Sequence, residues 1–585
     1  MAMRESGAIA VREEHMAETS VQADLDALIR NFTGPGATYE LVPEDVDGTT
    51  IRVFRNAPPN LRELYAGARE AFADRDCYVF QGERYSYADA WRFAAQVANR
   101  LQEAGVRRGD RVGIAMRNYP EWIFAFMGIT SVGAVAVAMN AWWTGEELRY
   151  GIENSGLKLL FLDRERLERA ASHASELGVD LVAVRCDADG YRRWEDFIGG
   201  APERMPEPDT APGDNALILY TSGSTSHAKG VLSTHRAIIH ALLGWECAAA
   251  LAAELLPSPV SDDIPSMILT VPLFHVSGLN VQLLSSFRHG RKLVGMYKWD
   301  PEEALKLIEA ERVTQFNGVP TMSWELVQSP NFDRYDTSSL KTMGGGGAAM
   351  APQHARQING RMANGSAGTG YGLTETNGLA TTISGEALLQ RPRSCGRPTP
   401  PIVEIRIADD DGRPLARGQT GEIWIRGPMN FRGYWNDAEG TRAALSDGWV
   451  HTGDVGHMDE EDYLFITDRA KDIVIRGGEN IGCQEVEAVI YEHPGVYECA
   501  VFGLPDERFG ETTAAVVMRK PGSALTDGDV KAHVAEHLAR FKVPEHVGIR
   551  DEQLPRIASG KIFKRGLREQ VIAERGIATA NDEGQ

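Results

Sequence analysis

The chain has 585 residues, a formal net charge of −21 and a hydrophobic fraction of 43%. This length can hold several domain-sized cores, and the composition is ordinary for a folded globular protein. The strong negative charge argues against nucleic acid and anionic membrane surfaces as standing partners. Six scattered cysteines without a C-x-x-C pair disfavour a disulfide scaffold or a zinc site, and they predict reduced thiols in a cytoplasmic protein.

The N-terminus lacks the apolar core of a secretory signal, because charged residues interrupt it between Arg4 and Glu14. The uncharged stretch from Trp122 to Met139 approaches the length of a membrane span. Gly128 and Gly133 interrupt it, so it predicts a helix, a turn and a short buried strand inside a core. We therefore expect no stable membrane span.

From Leu61 onward, helical patterns alternate with short apolar strands such as Arg111 to Met116 and Lys158 to Leu162. Alternation of this kind predicts β-α-β units and a largely parallel sheet, which is an α/β fold. Later, the segments Val403 to Ile407 and Gly421 to Arg426 alternate strictly between apolar and other residues. That pattern predicts antiparallel strands with one face in water.

A charged turn near Asp468 opens a last segment with its own strand and helix patterns, which predicts a small α+β domain. The predicted organisation is an N-terminal extension over 1–57, a large domain over 58–468, a hinge over 469–472 and a small C-terminal domain over 473–585.

The segment Leu219 to Val231 joins a short buried strand to a loop rich in hydroxyls and glycines, and a helical pattern starts at Ala237. A loop of small residues between a strand and a helix lets backbone N–H groups converge on a phosphate, and Lys229 adds a positive charge. Because Ala228 and Gly230 flank the lysine, this is not the common G-x-x-x-x-G-K-[ST] loop. From these residues alone a plain polar turn is an equal alternative.

The same segment resembles the signature loop of the adenylate-forming superfamily, which contains acyl- and aryl-CoA ligases, luciferases and the adenylation domains of peptide synthetases. That loop runs Tyr-Thr-Ser-Gly-Ser-Thr-Gly-x-Pro-Lys-Gly, and this chain departs from it at Ser226 and Ala228. Further motifs match in the same order from about Leu61 to Glu569. The resemblance implies layered α/β subdomains with mixed sheets, a small antiparallel β subdomain and a small mobile α+β C-terminal domain.

The resemblance also assigns roles around the nucleotide ATP and its Mg²⁺. It implies a catalytic Lys229, a Mg²⁺ contact from Thr225, and phosphate contacts from Thr221, Ser222, Gly223, Ser224 and Thr225. In Gly370 to Thr376, Tyr371 would pack on adenine, Thr374 would touch the α-phosphate and Glu375 would ligate Mg²⁺, a hard cation suited to carboxylate oxygen. The remaining residues it places at the nucleotide are Gly346, Gly347, Ala348, Gly370, Gly372 and Ile466.

Asp454, in His451-Thr-Gly-Asp-Val455, occupies the family position that grips the ribose hydroxyls, and Arg469 would add ribose contacts. Taken separately, Asp454 equally suits a turn cap and Arg469 a surface ion pair. The resemblance places the acyl pocket at His275, Gly318, Gly344, Gly345 and Gly346. For His275 a hydrogen-bonded core histidine is the rival interpretation.

The tail segment Leu554 to Ile562 is close to the family's Leu-Pro-Arg-Thr-Ala-Ser-Gly-Lys segment and contains Lys561. By resemblance Lys561 is catalytic, neutralising charge as a carboxylate attacks the α-phosphate. We expect it on an exposed mobile loop, where acetylation would silence it. The family's hinge and CoA passage map to Lys471, Gly477, Gly478, Glu479 and Asn480, and Gly482-Cys483 departs from the family pattern after them.

The segments expected to line the acyl tunnel contain no Lys, Arg, Asp or Glu, which disfavours an amino acid substrate. The glycines leave room for a medium or long acyl chain or a bulky aromatic or alicyclic acid. The leading hypothesis is an ATP-dependent acid–CoA ligase with CoA as its second substrate, and a homodimer is left open. The alternatives are an enzyme that hands its adenylate to a carrier protein or oxidises it, and a binding protein on an inactive ligase fold. The last would have lost Lys229, Glu375, Asp454 or Lys561, and all four are present.

Overall fold

The computed structural model describes residues 25–207, 209–221, 228–255, 263–469, 472–476, 479–506 and 508–577. Its strands, in chain order, are β1 (Leu41–Val46), β2 (Thr49–Phe54), β3 (Asp76–Phe80), β4 (Glu83–Ser86), β5 (Arg111–Ala115), β6 (Val135–Ala138), β7 (Leu159–Asp163), β8 (Asp180–Val184), β9 (Arg192–Arg193), β10 (Asn215–Thr221), β11 (Lys229–Thr234), β12 (Ser266–Leu269), β13 (Lys292–Gly295), β14 (Gln315–Gly318), β15 (Thr342–Gly346), β16 (Ser366–Tyr371), β17 (Thr381–Ser384), β18 (Arg397–Pro398), β19 (Glu404–Ala408), β20 (Gly421–Arg426), β21 (Gly433–Tyr434), β22 (Leu445–Ser446), β23 (Trp449–Met458), β24 (Leu464–Arg469), β25 (Val474–Arg476), β26 (Glu479–Ile481), β27 (Val496–Asp506), β28 (Gly510–Arg519) and β29 (His546–Arg550).

The α-helices, in chain order, are α1 (residues 25–33), α2 (Leu61–Phe72), α3 (Tyr87–Glu103), α4 (Pro120–Ser131), α5 (Gly145–Ser155), α6 (Arg164–Glu176), α7 (Trp194–Ile198), α8 (His235–Leu255), α9 (Ser285–His289), α10 (Pro301–Glu311), α11 (Pro320–Gln328), α12 (Pro352–Arg361), α13 (Gly385–Gln390), α14 (Ala438–Ala444), α15 (Cys483–Glu492), α16 (Asp527–His537) and α17 (Lys564–Arg575).

Two large mixed sheets form the body of the structure. One has the strand order β21-β11-β10-β6-β5-β7-β8-β9 and the other β18-β17-β16-β15-β14-β12-β13-β3-β4. Neighbouring strands are parallel from β10 through β6, β5, β7 and β8 to β9, and again from β16 through β15, β14, β12 and β13 to β3. The predicted α/β fold with a largely parallel sheet is confirmed.

The uncharged stretch from Trp122 to Met139 is core, as its sequence predicts. Every residue of α4 is buried, Gly133 turns the chain at φ +73°, and all four residues of β6 are buried. One other helix, α8, is long and apolar enough to cross a membrane, but half of its qualifying window is buried inside the structure. Core helices of soluble proteins meet the same criterion, so α8 carries no argument for a membrane span.

The last two sheets match the predicted change of pattern. Strands β19, β20, β23 and β22, with β24 beside β23, make an antiparallel sheet. Strands β26, β25, β28 and β27, with β29 beside β28, carry α15 to α17 and form the α+β tail. The N-terminal segment contributes to the body, because Phe54 at the end of β2 is only 4% exposed and lies in the main core.

Candidate active site

The predicted site residues lie where three parallel strands of the nine-stranded sheet end. Gly318 ends β14, Gly346 ends β15 and Tyr371 ends β16, and these strands pair in register. The carboxyl ends of parallel strands are where α/β proteins usually bind ligands. A cavity of about 570 Å³ opens there, and its wall includes Gly318, Gly344, Gly345, Gly346, Gly347, Gly370, Tyr371 and Gly372. The structure thus brings these eight predicted nucleotide and acyl residues to one cavity.

Glycine is required on β15 by the neighbouring backbone as well as by any ligand. A Cβ atom on Gly344 would lie 2.5 Å from the carbonyl oxygen of Gly368, and one on Gly345 would lie 2.7 Å from that of Gly318. Both separations are far below van der Waals contact. The glycines that were expected to leave room for the acid therefore also permit the close approach of neighbouring strands.

Tyr371 and Asp454 meet in the wall of the site. The Tyr371 hydroxyl donates to Asp454 Oδ2 at 2.5 Å, and Arg469 Nε lies 3.2 Å from Asp454 Oδ1. Strands β23 and β24 create this contact by placing Asp454 and Arg469 opposite each other. Burial raises the pKa of Asp454, while Arg469 and the Tyr371 hydroxyl lower it. Burial and Asp454 raise the pKa of Tyr371, so its hydroxyl keeps its proton and acts as a donor.

Lys561 reaches this site from the tail, and the expectation that it is exposed is wrong. Its side chain is partly buried, and its Cε and Nζ atoms lie 3.1 Å from the position that a Cβ on Gly347 would take. Burial, followed by the charge of Arg469, lowers the pKa of the ammonium to about 8, with Asp454 opposing. The loop predicted to carry this lysine outward is packed against the large domain instead.

This perturbed lysine predicts a pH dependence. In the enzyme without nucleotide, Lys561 is charged below pH about 8 and loses its proton above it. We therefore expect kcat/KM for pyrophosphate release to fall as the pH rises through this value, because an ammonium that stabilises phosphate charge is lost. In Lys561→Arg the guanidinium stays charged at this pH, so the fall in kcat/KM should move to higher pH. The same alkaline fall in both proteins would contradict the assignment.

Arg556 and the adjacent turn dock the tail on α11. Arg556 Nη2 lies 2.6 Å from Glu498 Oε2 within the tail and 3.4 Å from Glu325 Oε1 on α11. The Thr321 hydroxyl on α11 donates to the carbonyl oxygen of Gly560 at 3.4 Å. These contacts hold Gly560 against the large domain, and they explain why the side chain of the next residue, Lys561, points toward Gly347.

The close packing of Lys561 on Gly347 gives a sharp test. Gly347 has φ +78°, a conformation that favours glycine, and an added Cβ would press on the lysine at 3.1 Å. We expect Gly347→Ala to slow pyrophosphate release by about 10- to 100-fold, because small displacements of catalytic groups are costly. Gly360→Ala is the matched control, since that helical glycine has open space around its Cβ position. Equal rates in both variants would show that the contact is unimportant.

The phosphate-loop prediction of strand, loop and helix needs a correction. Thr221 ends β10, but Lys229 begins a second strand, and these two residues pair across an antiparallel hairpin. Buried Val231 and Leu232 on β11 pair with β21 as well as β10, so this stretch extends the sheet before α8 begins at His235. The intervening Ser222, Gly223, Ser224, Thr225 and Ser226 lie outside the described residues.

Tyr434 links Lys229 to Glu375, and sequence inspection did not single it out. Its hydroxyl donates to Glu375 Oε1 at 2.8 Å, and Lys229 Nζ lies 4.7 Å from the centre of its ring. Lys229 Nζ also lies 3.7 Å from Asp437 Oδ2. Burial and the Glu375 carboxylate raise the pKa of Tyr434, which keeps the hydroxyl as a donor. Gly433 and Tyr434 lie more than two hundred positions after Lys229 in the sequence and belong to no motif that was recognised. Their place beside β11 is set by strand pairing in the folded structure.

Removing the Tyr434 hydroxyl should leave the Glu375 carboxylate less firmly positioned, because Oε1 loses its hydrogen-bond donor. We expect Tyr434→Phe to weaken the apparent affinity for Mg²⁺ by about 10- to 100-fold, a typical effect of losing a hydrogen bond to a metal-binding carboxylate. The Mg²⁺ dependence of pyrophosphate release measures it. Tyr335→Phe is a matched control, because that hydroxyl also donates to a carboxylate, Glu302 Oε1 at 2.6 Å, but away from the cavity. An unchanged Mg²⁺ dependence in Tyr434→Phe would contradict a positioning role.

The other predicted nucleotide residues lie on β24 or in the turns that follow β15 and β16. Thr374 and Glu375 form a single 3₁₀ turn directly after β16 and Gly372. Ala348 follows Gly347 in the loop after β15, and Ile466 lies on β24, where it pairs with Gly456 and packs against the main core.

His275 is close to the site but outside the wall of the cavity. Its Nε2 atom is buried without a hydrogen-bond partner among the described residues, and burial with the charge of Lys561 lowers its pKa to about 4. By contrast, His235 Nδ1 accepts from the Leu61 amide and His240 Nε2 from the Phe54 amide, each at 3.1 Å. Those two histidines connect the N-terminal elements to α8, while His275 lies close enough to Lys561 for the ammonium to lower its pKa.

Two of the five predicted CoA and hinge residues are described by the structure. Glu479 and Asn480 are exposed on β26, in the tail, and Lys471, Gly477 and Gly478 lie outside the described residues. At Gly482-Cys483, where the sequence departs from the family motif, the Cys483 amide donates a hydrogen bond to Asp468 Oδ2 at 2.6 Å. Asp468 therefore holds the first residue of α15 to the end of β24, at the predicted hinge.

The cavity lining also differs from the expectation of a tunnel without charges. The predicted segments carry none, but the wall includes Arg291 and Arg397 from outside them. Arg397 lies over the ring of Tyr463 at 4.5 Å. Neither arginine follows a recognisable motif, so only the packing shows that they face the cavity.

Residues 66–435 match the AMP-binding enzyme family, and residues 485–561 match the AMP-binding enzyme C-terminal domain. The chain belongs to the AMP-binding enzyme family. Among its relatives, a long-chain-fatty-acid–CoA ligase of Bacillus subtilis is 32% identical over 87% of this chain and 94% of its own length. A feruloyl-CoA synthase of Amycolatopsis is 34% identical over 84% and 94% of the two chains. The ATP-bound structure of MatB from Rhodopseudomonas palustris, 31% identical, superposes with a TM-score of 0.76 over 87% of this chain and 99% of that one.

These comparisons confirm the resemblance seen in the motifs. This AMP-binding enzyme is an acid–thiol ligase of the acyl-CoA synthetase type that uses ATP. Its relatives act on fatty acids in one case and on an aromatic acid in another, so they leave the substrate of this chain open.

Proposed function

We propose that this AMP-binding enzyme is a carboxylic acid–CoA ligase that works in two half-reactions at the described cavity. In the first, a carboxylate oxygen attacks the α-phosphorus of ATP and the bond to the β-phosphate oxygen breaks, which gives an acyl-adenylate and pyrophosphate. In the second, the CoA sulfur attacks the acyl carbonyl carbon, the thiol proton leaves and AMP departs. The observation that carries this proposal is the Lys561 side chain lying against Gly347, beside Asp454 and Arg469.

Each described group then has a task in the first half-reaction. Lys561 neutralises charge on the attacking carboxylate and the α-phosphate, with no need to exchange a proton. Asp454 and Arg469 would hold the ribose hydroxyls, and Tyr371 would pack on adenine. Thr374 would donate to the α-phosphate, and Lys229 would approach the outer phosphates after leaving Asp437, its partner at 3.7 Å.

The residues present fit a Mg²⁺ ion. Glu375 offers a carboxylate, a preferred ligand of this hard cation, and the Tyr434 hydroxyl fixes one of its oxygens at 2.8 Å. Thr225 would be the second protein group. Bound Mg²⁺ supplies charge neutralisation on the phosphates and pyrophosphate.

For the second half-reaction we propose a rotation of the tail domain, 473–585, about the hinge 469–472 relative to the large domain, 58–468. Support comes from polar contacts that water can replace when the tail moves: Arg556 to Glu325 and Thr321 to Gly560 at 3.4 Å each, and Gln553 to Glu325 at 2.7 Å. Breaking these contacts would withdraw Lys561 and bring β26, with Glu479 and Asn480, toward the site.

The cavity of about 570 Å³ supports a medium or long acyl chain or a bulky aromatic or alicyclic acid over acetate. A second candidate is transfer of the adenylate to a carrier protein, and the shared first half-reaction keeps it open. The test is release of pyrophosphate and AMP from MgATP with a panel of acids, with and without CoA. Thioester and AMP that depend on CoA support the ligase, and pyrophosphate without thioester supports the carrier-protein alternative.

A further inference from the structure

We infer that the acid bound by this enzyme carries a second carboxylate at its far end and that Arg291 binds it. This inference deepens the proposed function and rests on it, because it concerns the substrate of the same cavity. It rests on where the cavity ends, on the missing carboxylate partner of Arg291 and on the apolar side chains that line the cavity between its two ends.

The cavity runs along the sheet from the carboxyl ends of the strands to their amino ends. Gly318 and Gln315, the two ends of β14, both line it, and three residue steps of strand span about 10 Å. Arg291 directly precedes β13, and Ser266, the first residue of β12, pairs with Lys292. Arg291 therefore stands at the end of the cavity opposite Gly346 and Tyr371.

Arg291 is buried without a carboxylate. The residue is only 9% exposed. Its Nη1 atom donates a hydrogen bond to Ser285 Oγ at 3.0 Å, and its buried Nε atom has no hydrogen-bond partner in the described part of the chain. Glu246, one of the two acids on α8, pairs with Arg288 at 2.5 Å. Burial lowers the pKa of Arg291 to about 10, so it remains charged at neutral pH.

The other arginine that is buried in the described part of the chain, Arg166, has a carboxylate partner. Arg166, 2% exposed, places Nη1 3.1 Å from both oxygens of Asp163 and donates from Nε to the carbonyl oxygen of Ala141. An unpaired buried guanidinium destabilises the folded state, because no opposite charge offsets the free energy lost by removing it from water. Arg291 is thus arranged as one half of an ion pair, and it lines the cavity.

A carboxylate suits this position better than a hydrocarbon end or a neutral oxygen. The planar guanidinium offers parallel donors that match two carboxylate oxygens, whereas a methyl end would leave the charge unpaired. Between the two ends the wall includes the apolar side chains of Trp245, Val276, Val281 and Phe316, together with the uncharged polar residues Gln282 and Asn317. The complementary ligand has a carboxylate at each end of an apolar body, with the two groups about 10 Å apart, the length of β14.

The test compares α,ω-dicarboxylic acids with monocarboxylic acids of the same length in CoA-dependent AMP release. We expect kcat/KM of the wild-type enzyme to favour one dicarboxylic acid by about 100-fold or more, because a site built for a polar group rejects the analogue lacking it. Arg291→Gln should abolish this preference while turnover of the monocarboxylic acid is kept or improved, and Arg291→Lys should restore part of it. Ser285→Ala, which removes the orienting hydroxyl, should reduce the preference with little effect on folding.

Two results would overturn the inference: a wild-type preference for methyl-ended or hydroxyl-ended acids, or an equal loss on both acid classes in Arg291→Gln with an unchanged melting temperature. Calorimetric titration of the same acids into the wild-type and Arg291→Gln proteins separates this failure from failure of the proposed function. Arg291-dependent binding of the dicarboxylic acid without AMP release would reject the ligase reaction and keep the site. AMP release with monocarboxylic acids alone would keep the ligase and reject the site.

Discussion

Lys561→Ala is expected to slow acyl-adenylate formation by about 100- to 1000-fold, the usual effect of removing one charge-stabilising group from a transition state. The ammonium lies beside Gly347, Asp454 and Arg469, where the α-phosphate would bind. Burial makes its charge more effective than that of a solvated lysine. Single-turnover release of pyrophosphate from MgATP and the acid measures this step directly.

Two controls make this result specific. Lys531→Ala removes a tail lysine whose only described ion pair is with Asp527, at 3.9 Å between Nζ and Oδ2. This substitution should leave the rate unchanged. Thioester formation from a synthetic acyl-adenylate should survive in Lys561→Ala, because the lysine is proposed to leave the site before CoA attacks. An equal loss in both half-reactions would instead indicate general damage to the cavity or to tail docking.

Glu375→Gln is expected to reduce adenylate formation by about 100- to 1000-fold, because metal stabilisation of phosphate charge is worth several kcal/mol. The amide oxygen can still accept from Tyr434, so the local structure should persist while the negative charge is lost. The apparent Mg²⁺ requirement should rise as well, because a neutral amide binds a hard cation poorly. Rates measured over a range of Mg²⁺ concentrations separate these two effects.

The control for this variant is Glu386→Gln, an exposed glutamate whose Oε1 accepts from Gln390 at 3.2 Å. It should match the wild-type enzyme in rate and Mg²⁺ dependence. If Glu375→Gln lost activity with an unchanged Mg²⁺ dependence, Glu375 would act through Tyr434 and β21 rather than through the metal.

The sequence predicted those parts of the molecule that depend on local pattern. Apolar runs located β5, β7 and β10, strict alternation located β19 and β20, and short motifs located Tyr371, Asp454 and Lys561. The hairpin between β10 and β11 was missed, because the hydroxyl-rich loop looked like a direct link to a helix. Residues 229–234 form a strand only because β10 and β21 pair on either side of them.

The missed features of the site are tertiary. Tyr434 meets Glu375 across a large separation in sequence, Arg291 is buried without a carboxylate partner among the described residues, and Lys561 is partly buried where the tail contacts α11. No local pattern encodes these relations, because each depends on which elements pack together. Motifs therefore indicated the reaction, whereas the substrate end of the cavity became visible only in the fold.

The most direct test of the central claim follows a heavy oxygen isotope from the acid. The enzyme is incubated with MgATP, CoA and an acid whose carboxylate oxygens are labelled, and the products are weighed by mass spectrometry. We expect one labelled oxygen in AMP and the other in the acyl-CoA, because a carboxylate oxygen becomes bonded to the α-phosphorus and leaves with AMP. Label in pyrophosphate or phosphate, or AMP that forms without any label, would contradict an acyl-adenylate intermediate.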